Sequence, residues 1–590
     1  MPGSIISAMS TRALVALGLM LFAGVQAPQP AGTWASIVAD WEAFERVEDP
    51  YTAGGEGDRG ALARLPEITP AADARRLAAL EAFRARIEAL DAKALAPGDA
   101  FNHAFLARLV RERIEAGAFD PARIAFINEG GESANLALTA HTTSVETRAD
   151  ADAWLARLQA APRLIQENIA NARRGLATGF TQPRSVVEGA IAIAKAEVAL
   201  TANDDPLLIP IAALPSSIGT ADAASIRDRA RAIVGGPIAA ARREWLRMLE
   251  SEYLPKARPG LGVASIPQGR AYYAFLTRSY TTTAMTPDQV HDIGLKEVAR
   301  IRAEMQREMK AADFQGTFPE FLHWLRTAPR FYAKTRQELL EKASEIAKRA
   351  DGKLPGLFRH SLPRLPYDVR EVPREIEDQY TTGRYFQGSL QNGIAGGYIV
   401  NTGKLDQRPL YELPALTVHE AVPGHHLQIA IAQELGDQPW FRRNTYVHAF
   451  GEGWGLYSEF LGVEMGIYRD PYERFGRLSY EMWRACRLVV DTGIHWKGWT
   501  IEQARACFRD NSALAPHNIE TELQRYISWP GQALAYKVGE LKFKALRARA
   551  EKTLGARFDV REFHDTVLLG GALPLDMLEQ RVDAWLASKK

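Results

Sequence analysis

Apolar residues recur along most of the chain at steps of three and four. Leu77, Leu80, Phe83, Ile87 and Leu90 form such a series in an Ala- and Arg-rich stretch, which predicts an amphipathic helix with one buried face. Thr286-Pro287-Asp288-Gln289 supplies a helix start: a capping hydroxyl, a proline in the first turn and a glutamine able to reach back to the cap. Val290, Ile293, Leu295 and Val298 continue that helix. Strand signals are sparse. The clear one is Gly396-Gly397-Tyr398-Ile399-Val400-Asn401-Thr402, a β-branched and aromatic run opened by glycines. The pattern predicts a mainly α protein with a small β element, organised as a helical region over 28–280 and a second region over 281–590. The two halves form either separate domains or the walls of one cleft.

Composition narrows the function classes. Lys plus Arg number 72 against 71 Asp plus Glu, so there is no global field for nucleic acid or an anionic membrane. Two cysteines, Cys486 and Cys507, exclude a disulfide framework and are expected as free thiols. The start reads as a secretory signal over 1–27: Arg12, an apolar run from Ala13 to Val25, and Ala27 in a small-residue context. Pro28 disfavours cleavage there, so an uncleaved amino-terminal anchor is the alternative. No later segment approaches the roughly 18 apolar residues a span requires. The expectation is an exported protein, periplasmic or extracellular, without stable membrane insertion once the signal is removed.

The chemistry is concentrated in His419-Glu420-Ala421-Val422-Pro423-Gly424-His425-His426, which holds three of the 12 histidines. Neutral imidazoles are favoured zinc ligands, and a carboxylate directly after the first can act as general base without ligating. In an unbroken helix His426 would lie roughly 10 Å along the axis from His419, too far to share an ion with bonds near about 2 Å. Pro423 and Gly424 allow a distortion. A bulge absorbing two residues would return His425 to the i+4 position, which ranks His425 ahead of His426 as the second ligand.

A third ligand is expected from Phe450-Gly-Glu-Gly-Trp-Gly-Leu-Tyr-Ser-Glu459, where Gly451, Gly453 and Gly455 bracket Glu452 and imply close backbone approach. Glu459, on the same face as Glu452, could orient a ligating histidine from behind. Asp491 and His495, at i and i+4, could pair so that His495 faces a substrate oxyanion. Tyr526 and Tyr536 are hydroxyl donors for the same charge, and Arg525 could hold a peptide's terminal carboxylate.

These motifs resemble the gluzincin metallopeptidases. Glu452-Gly-Trp-Gly-Leu-Tyr-Ser-Glu459 is similar to the third-ligand helix of aminopeptidase N-type enzymes, and Gly424-His425 resembles part of the metal motif of thimet oligopeptidases and carboxypeptidase Taq. More closely, residues 35 to 588 resemble the domain-of-unknown-function 885 family through its HExxPGHH motif. The resemblance implies a large helical metallopeptidase-like scaffold with a deep cleft, one Zn2+ per chain, and a strand at Gly396, Gly397 and Tyr398 that binds substrate backbone. The expected function is zinc-dependent cleavage of short peptides with Glu420 as base and either a tyrosine or His495 at the oxyanion. A metal-dependent amidase or esterase acting on a small non-peptide substrate, and a non-catalytic peptide binder, are the alternatives.

Overall fold

The structure is a computed structural model that describes residues 32–589 except 375, 376, 378, 379, 391, 392 and 437, so the leader expected over 1–27 lies outside the described residues. Among the described residues, helices run from Trp34 to Ser588 around one three-stranded sheet, the mainly α architecture the pattern implies. The first amphipathic series forms the helix Pro70–Glu88, with Leu80, Phe83 and Ile87 buried. Leu77 is 40% exposed, at the margin of the buried stripe. Helix α1, Pro287–Ala311, starts as its sequence dictates. The Thr286 hydroxyl accepts from the Gln289 N–H, and the Gln289 side chain accepts from the Thr286 N–H.

The sheet comprises β1 (Tyr367–Glu371), β2 (Gly383–Phe386) and β3 (Gly396–Val400), in the order β1-β3-β2. β3 runs parallel to β1 and antiparallel to β2, with Tyr398 opposite Tyr385. Burial on both faces explains why β3 reads as a continuous run rather than an alternation. β2, four residues long, is too short to leave a periodic signal, and β1, though as long as β3, carries Asp368, Arg370 and Glu371 in place of an apolar run.

The site is carried by α2 (Leu413–Glu420), α3 (His425–Gln433), α4 (His448–Glu464), α5 (Pro471–His495), α6 (Pro516–Ser528) and α7 (Ala535–Leu554). Their apolar faces join one core that also takes in Trp41, Phe105 and Ile169, each such side chain contributing about 1.5–3 kcal/mol on burial. α4 and α7 cross at Gly453 and Gly539, where a Cβ on Gly453 would lie 2.5 Å from the Gly539 Cα. α1, α5 and α7 are tied by fully buried Lys537, whose ammonium lies 3.0 Å from Glu297, 2.8 Å from Glu481 and 2.5 Å from Glu540. Cys486 and Cys507 are both free thiols. Among the described residues no helix is long and apolar enough to cross a membrane.

Candidate metal centre

The expected bulge is a complete break. α2 ends at Glu420, residues 421–424 form a turn with a cis Val422–Pro423 bond, and α3 restarts at His425. The turn folds back on α2 so closely that only glycine fits at 424. A Cβ there would lie 2.5 Å from both the carbonyl carbon of His419 and the carbonyl oxygen of Val418, and nearer still to the carbonyl oxygen of His419. Trp454 of α4 donates its indole N–H to the Pro423 carbonyl at 2.7 Å and fixes the turn from the other side.

This fold-back brings His425 beside His419, their rings nearly perpendicular with centroids 4.7 Å apart. Glu452 reaches them from α4. Its Oε2 lies 3.3 Å from His425 Nε2 and 3.8 Å from His419 Nε2, and the three potential ligand atoms fall within 4.8 Å of one another. All three residues are buried, with His419 2% exposed and Glu452 9%. His426 turns the other way, its Nδ1 3.1 Å from the Tyr385 hydroxyl and its ring over Tyr367. Burial there lowers its pKa to about 4.

The donor set fits a divalent cation. Two imidazoles and a carboxylate match zinc's preferences and leave a coordination position open. Glu452 Oε2 is buried without a hydrogen-bond partner, a state that costs free energy unless a cation satisfies it. Of the buried carboxylates Glu420, Glu452 and Glu459, Glu459 pairs with buried Arg484 at 3.0 Å. The neighbouring carboxylates act on His419: burial pushes its pKa down, but Glu452 nearby and Glu459 at its Nδ1 outweigh this and lift it to about 9. Positive charge is drawn to the point where the three ligand atoms converge.

The surrounding groups orient the set. His419 Nδ1 lies 2.8 Å from Glu459 Oε1, which leaves Nε2 for the cation. Arg484 holds the same oxygen at 3.0 Å and stacks on Tyr480 and Trp483. Gly455 gives the His419 ring room, since a Cβ there would lie 2.7 Å from its Cε1. The other bracketing glycines serve different neighbours: Gly453 faces Gly539, and Gly451 faces the Tyr446 ring. Glu420 is 8% exposed, and its Oε2 accepts a hydrogen bond from the Tyr385 N–H of β2 at 2.8 Å.

Other expected positions behave differently. His495 is fully buried, with Nδ1 bound to the Val263 N–H and Nε2 to the Tyr526 carbonyl, so neither ring nitrogen is available to a substrate. Asp491 does not pair with it but accepts from the Tyr273 hydroxyl at 2.5 Å and from the Gly531 N–H at 3.0 Å. α5 is buried on every side over this stretch, so these residues find partners on other elements rather than along their own helix. The Tyr526 hydroxyl is taken by Trp483, Arg487 and Glu522. Tyr536 does reach the site, its ring parallel to that of His419 at 6.4 Å and its hydroxyl 3.0 Å from Arg525.

The expectation for Gly396, Gly397 and Tyr398 also changes. β3 is the central strand, paired on both edges, so it offers no edge to a substrate. Gly396 makes room for Tyr385 and His426, Gly397 for Arg370, and the Tyr398 hydroxyl contacts Thr417 of α2 at 3.2 Å. The edge beside Glu420 belongs to β2. Sequence reasoning also passed over Tyr446, which is 40% exposed and donates to Glu452 Oε1 at 3.1 Å. Gly451, which accommodates its ring, was the available signal.

A family model described as "Bacterial protein of unknown function (DUF885)" matches residues 50–582. The chain belongs to this family. Among solved structures, the chain is similar to one described as "the putative lipoprotein from Colwellia psychrerythraea", 29% identical with a TM-score of 0.89, covering 95% of this chain and 100% of that one. A second, described as "a putative lipoprotein of unknown function from Shewanella oneidensis", is 18% identical with a TM-score of 0.66, covers 93% of this chain and 99% of that one, and shares the fold. No curated protein matches the chain.

Proposed function

We propose that this DUF885 protein is a zinc-dependent hydrolase, similar in chemistry to the gluzincin metallopeptidases, that cleaves short peptides. The observation that carries the reading is the convergence of His419, His425 and Glu452 with Glu420 directly beside the first ligand. A metal-binding site without catalysis has little use for that second carboxylate. Export is part of the proposal, supported by the description of both structural neighbours as lipoproteins.

His419, His425 and Glu452 would hold the ion, which supplies Lewis acidity that acidifies water and polarises a carbonyl. Glu420 takes the proton of the attacking water and returns it to the leaving amine. The Tyr385 N–H fixes the orientation of that carboxylate. An extended peptide would lie along the unpaired edge of β2, which passes Glu420. Tyr536, whose hydroxyl accepts from Arg525 and keeps its own proton to donate, would stabilise a developing oxyanion in place of His495 and Tyr526.

The test is mass-spectrometric cleavage of a short-peptide library by zinc-loaded protein. Wild type is expected to cleave, and Glu420→Gln to retain zinc while losing at least about 100-fold in turnover, the typical share of a general base. Zinc-loaded wild type that cleaves no peptide, or a Glu420→Gln variant as active as wild type, would overturn the proposal.

A further inference from the structure

Resting on the peptidase reading, we propose that the site selects peptides by their free terminal carboxylate, bound by Arg525 with Arg384 beside it, which makes the protein an exopeptidase acting at the carboxyl end. Arg525 stands on α6 and is 9% exposed. Its Nη2 contacts Gln532 Oε1 at 2.7 Å and the Tyr536 hydroxyl at 3.0 Å, and its Nη1 is 3.6 Å from Glu522. Its Nε is buried with no hydrogen-bond partner. Glu522 is engaged more closely elsewhere, accepting from Arg487 at 2.9 Å and from the Tyr526 hydroxyl at 2.7 Å. Arg525 is therefore a buried cation whose nearest carboxylate is committed to another guanidinium.

Two short links tie these cations to the metal centre. Arg525 binds the hydroxyl of Tyr536, whose ring lies flat beside the His419 ring. Arg384 directly precedes Tyr385, whose N–H holds Glu420, and it pairs at 2.7 Å with Glu129 from the amino-terminal half. Burial pushes the Glu129 pKa up, but Arg384 and, more weakly, Arg525 outweigh it and hold the carboxyl below its ordinary value, so both guanidinium groups act on Glu129. Arg384 is matched by Glu129, whereas Arg487 and Arg525 both face Glu522, which leaves one positive charge over. A terminal carboxylate is the anion every short peptide carries, and its planar pair of oxygens suits a guanidinium. A carboxylate seated there would leave the last peptide bond near Glu420.

The experiment measures binding, independent of turnover. Zinc-loaded Glu420→Gln protein is titrated calorimetrically with Ala-Phe and with Ala-Phe amide. The free acid is expected to bind at least about tenfold tighter, the value of one charge-assisted hydrogen bond. That preference should vanish in Glu420→Gln/Arg525→Gln and persist in part with Arg525→Lys. Direct ligation of zinc by the peptide's carboxylate would instead give a preference that survives Arg525→Gln. Thermal melting reports whether the Arg525 variants fold; Arg384→Gln, at a partly exposed position, provides a second reading and should weaken the same preference. Equal binding of acid and amide, no binding of either at millimolar peptide, or a preference that survives both arginine substitutions would overturn the proposal. Wild-type peptide cleavage is scored separately, so failure of the hydrolase reading and failure of the carboxylate subsite are distinguishable.

Discussion

Gly424→Ala tests the geometry that creates the proposed metal centre without touching a proposed ligand. The added methyl would sit 2.5 Å from the His419 carbonyl carbon and the Val418 carbonyl oxygen, where ordinary contact begins at 3.4 Å. Both obstacles are backbone, so no rotamer change relieves them. Because the His419 carbonyl oxygen is nearer still, restoring contact demands a shift of more than about 1 Å between α2 and the turn, against a tolerance in ligand distances of about 0.2 Å. His425 follows Gly424 directly and would move with it. We expect Gly424→Ala to lose zinc affinity by more than about 100-fold, beyond the 10–100-fold typical of removing an outer hydrogen-bond partner. The assay is competition with a chromophoric zinc chelator, with thermal melting in parallel. Gly436→Ala is the control, since a Cβ there meets nothing within 4 Å. Unchanged zinc affinity in folded Gly424→Ala would refute the argument that this close approach sets the position of His425.

Other consequences follow from the surrounding contacts. Glu459→Gln and Arg484→Met should each weaken zinc binding by about 10–100-fold in the same competition assay, because they free the His419 ring from its orienting partner. Lys537→Met should cost about 1–3 kcal/mol in urea unfolding, since Glu481 and Glu540 lose their shared cation but keep Arg477 and Lys544. Burial raises the Asp491 pKa from its ordinary value to about 7, so the folded protein keeps a proton that the unfolded chain releases at lower pH. This carboxyl's contribution to stability is therefore full at low pH and declines as pH rises from about 4 to about 7. The stability difference between wild type and Asp491→Asn should change across that window and stay flat above it; a pH-independent difference would count against the assignment.

Much of the centre is legible in sequence because its signals are local. Pro423 and Gly424 announce a break between His419 and His425, and the reach of a helix disfavours His426. The break is deeper than a bulge because the turn packs against Trp454, a contact that spacing does not reveal. The glycines around Glu452 imply close approach, yet each answers to a different neighbour, of which only the one at Gly455 is the His419 ring. Asp491 and His495 show the limit of i, i+4 reasoning: on a helix buried on all sides, tertiary partners outcompete the neighbour one turn away. β2 was invisible for a related reason. Four residues carry no period, and only the sheet order shows that β2, rather than β3, borders Glu420. Arg484 and Tyr446 likewise enter the site only once α4, α5 and the turn are packed together.

The most direct measurement of the central claim is the metal content of purified wild type, His425→Ala and His426→Ala, by elemental mass spectrometry after incubation with zinc and removal of the excess. The account requires about one zinc per chain in wild type and in His426→Ala, and its loss in His425→Ala. No zinc in wild type, or zinc lost from His426→Ala while His425→Ala keeps it, would contradict a metal centre built by the fold-back at Gly424.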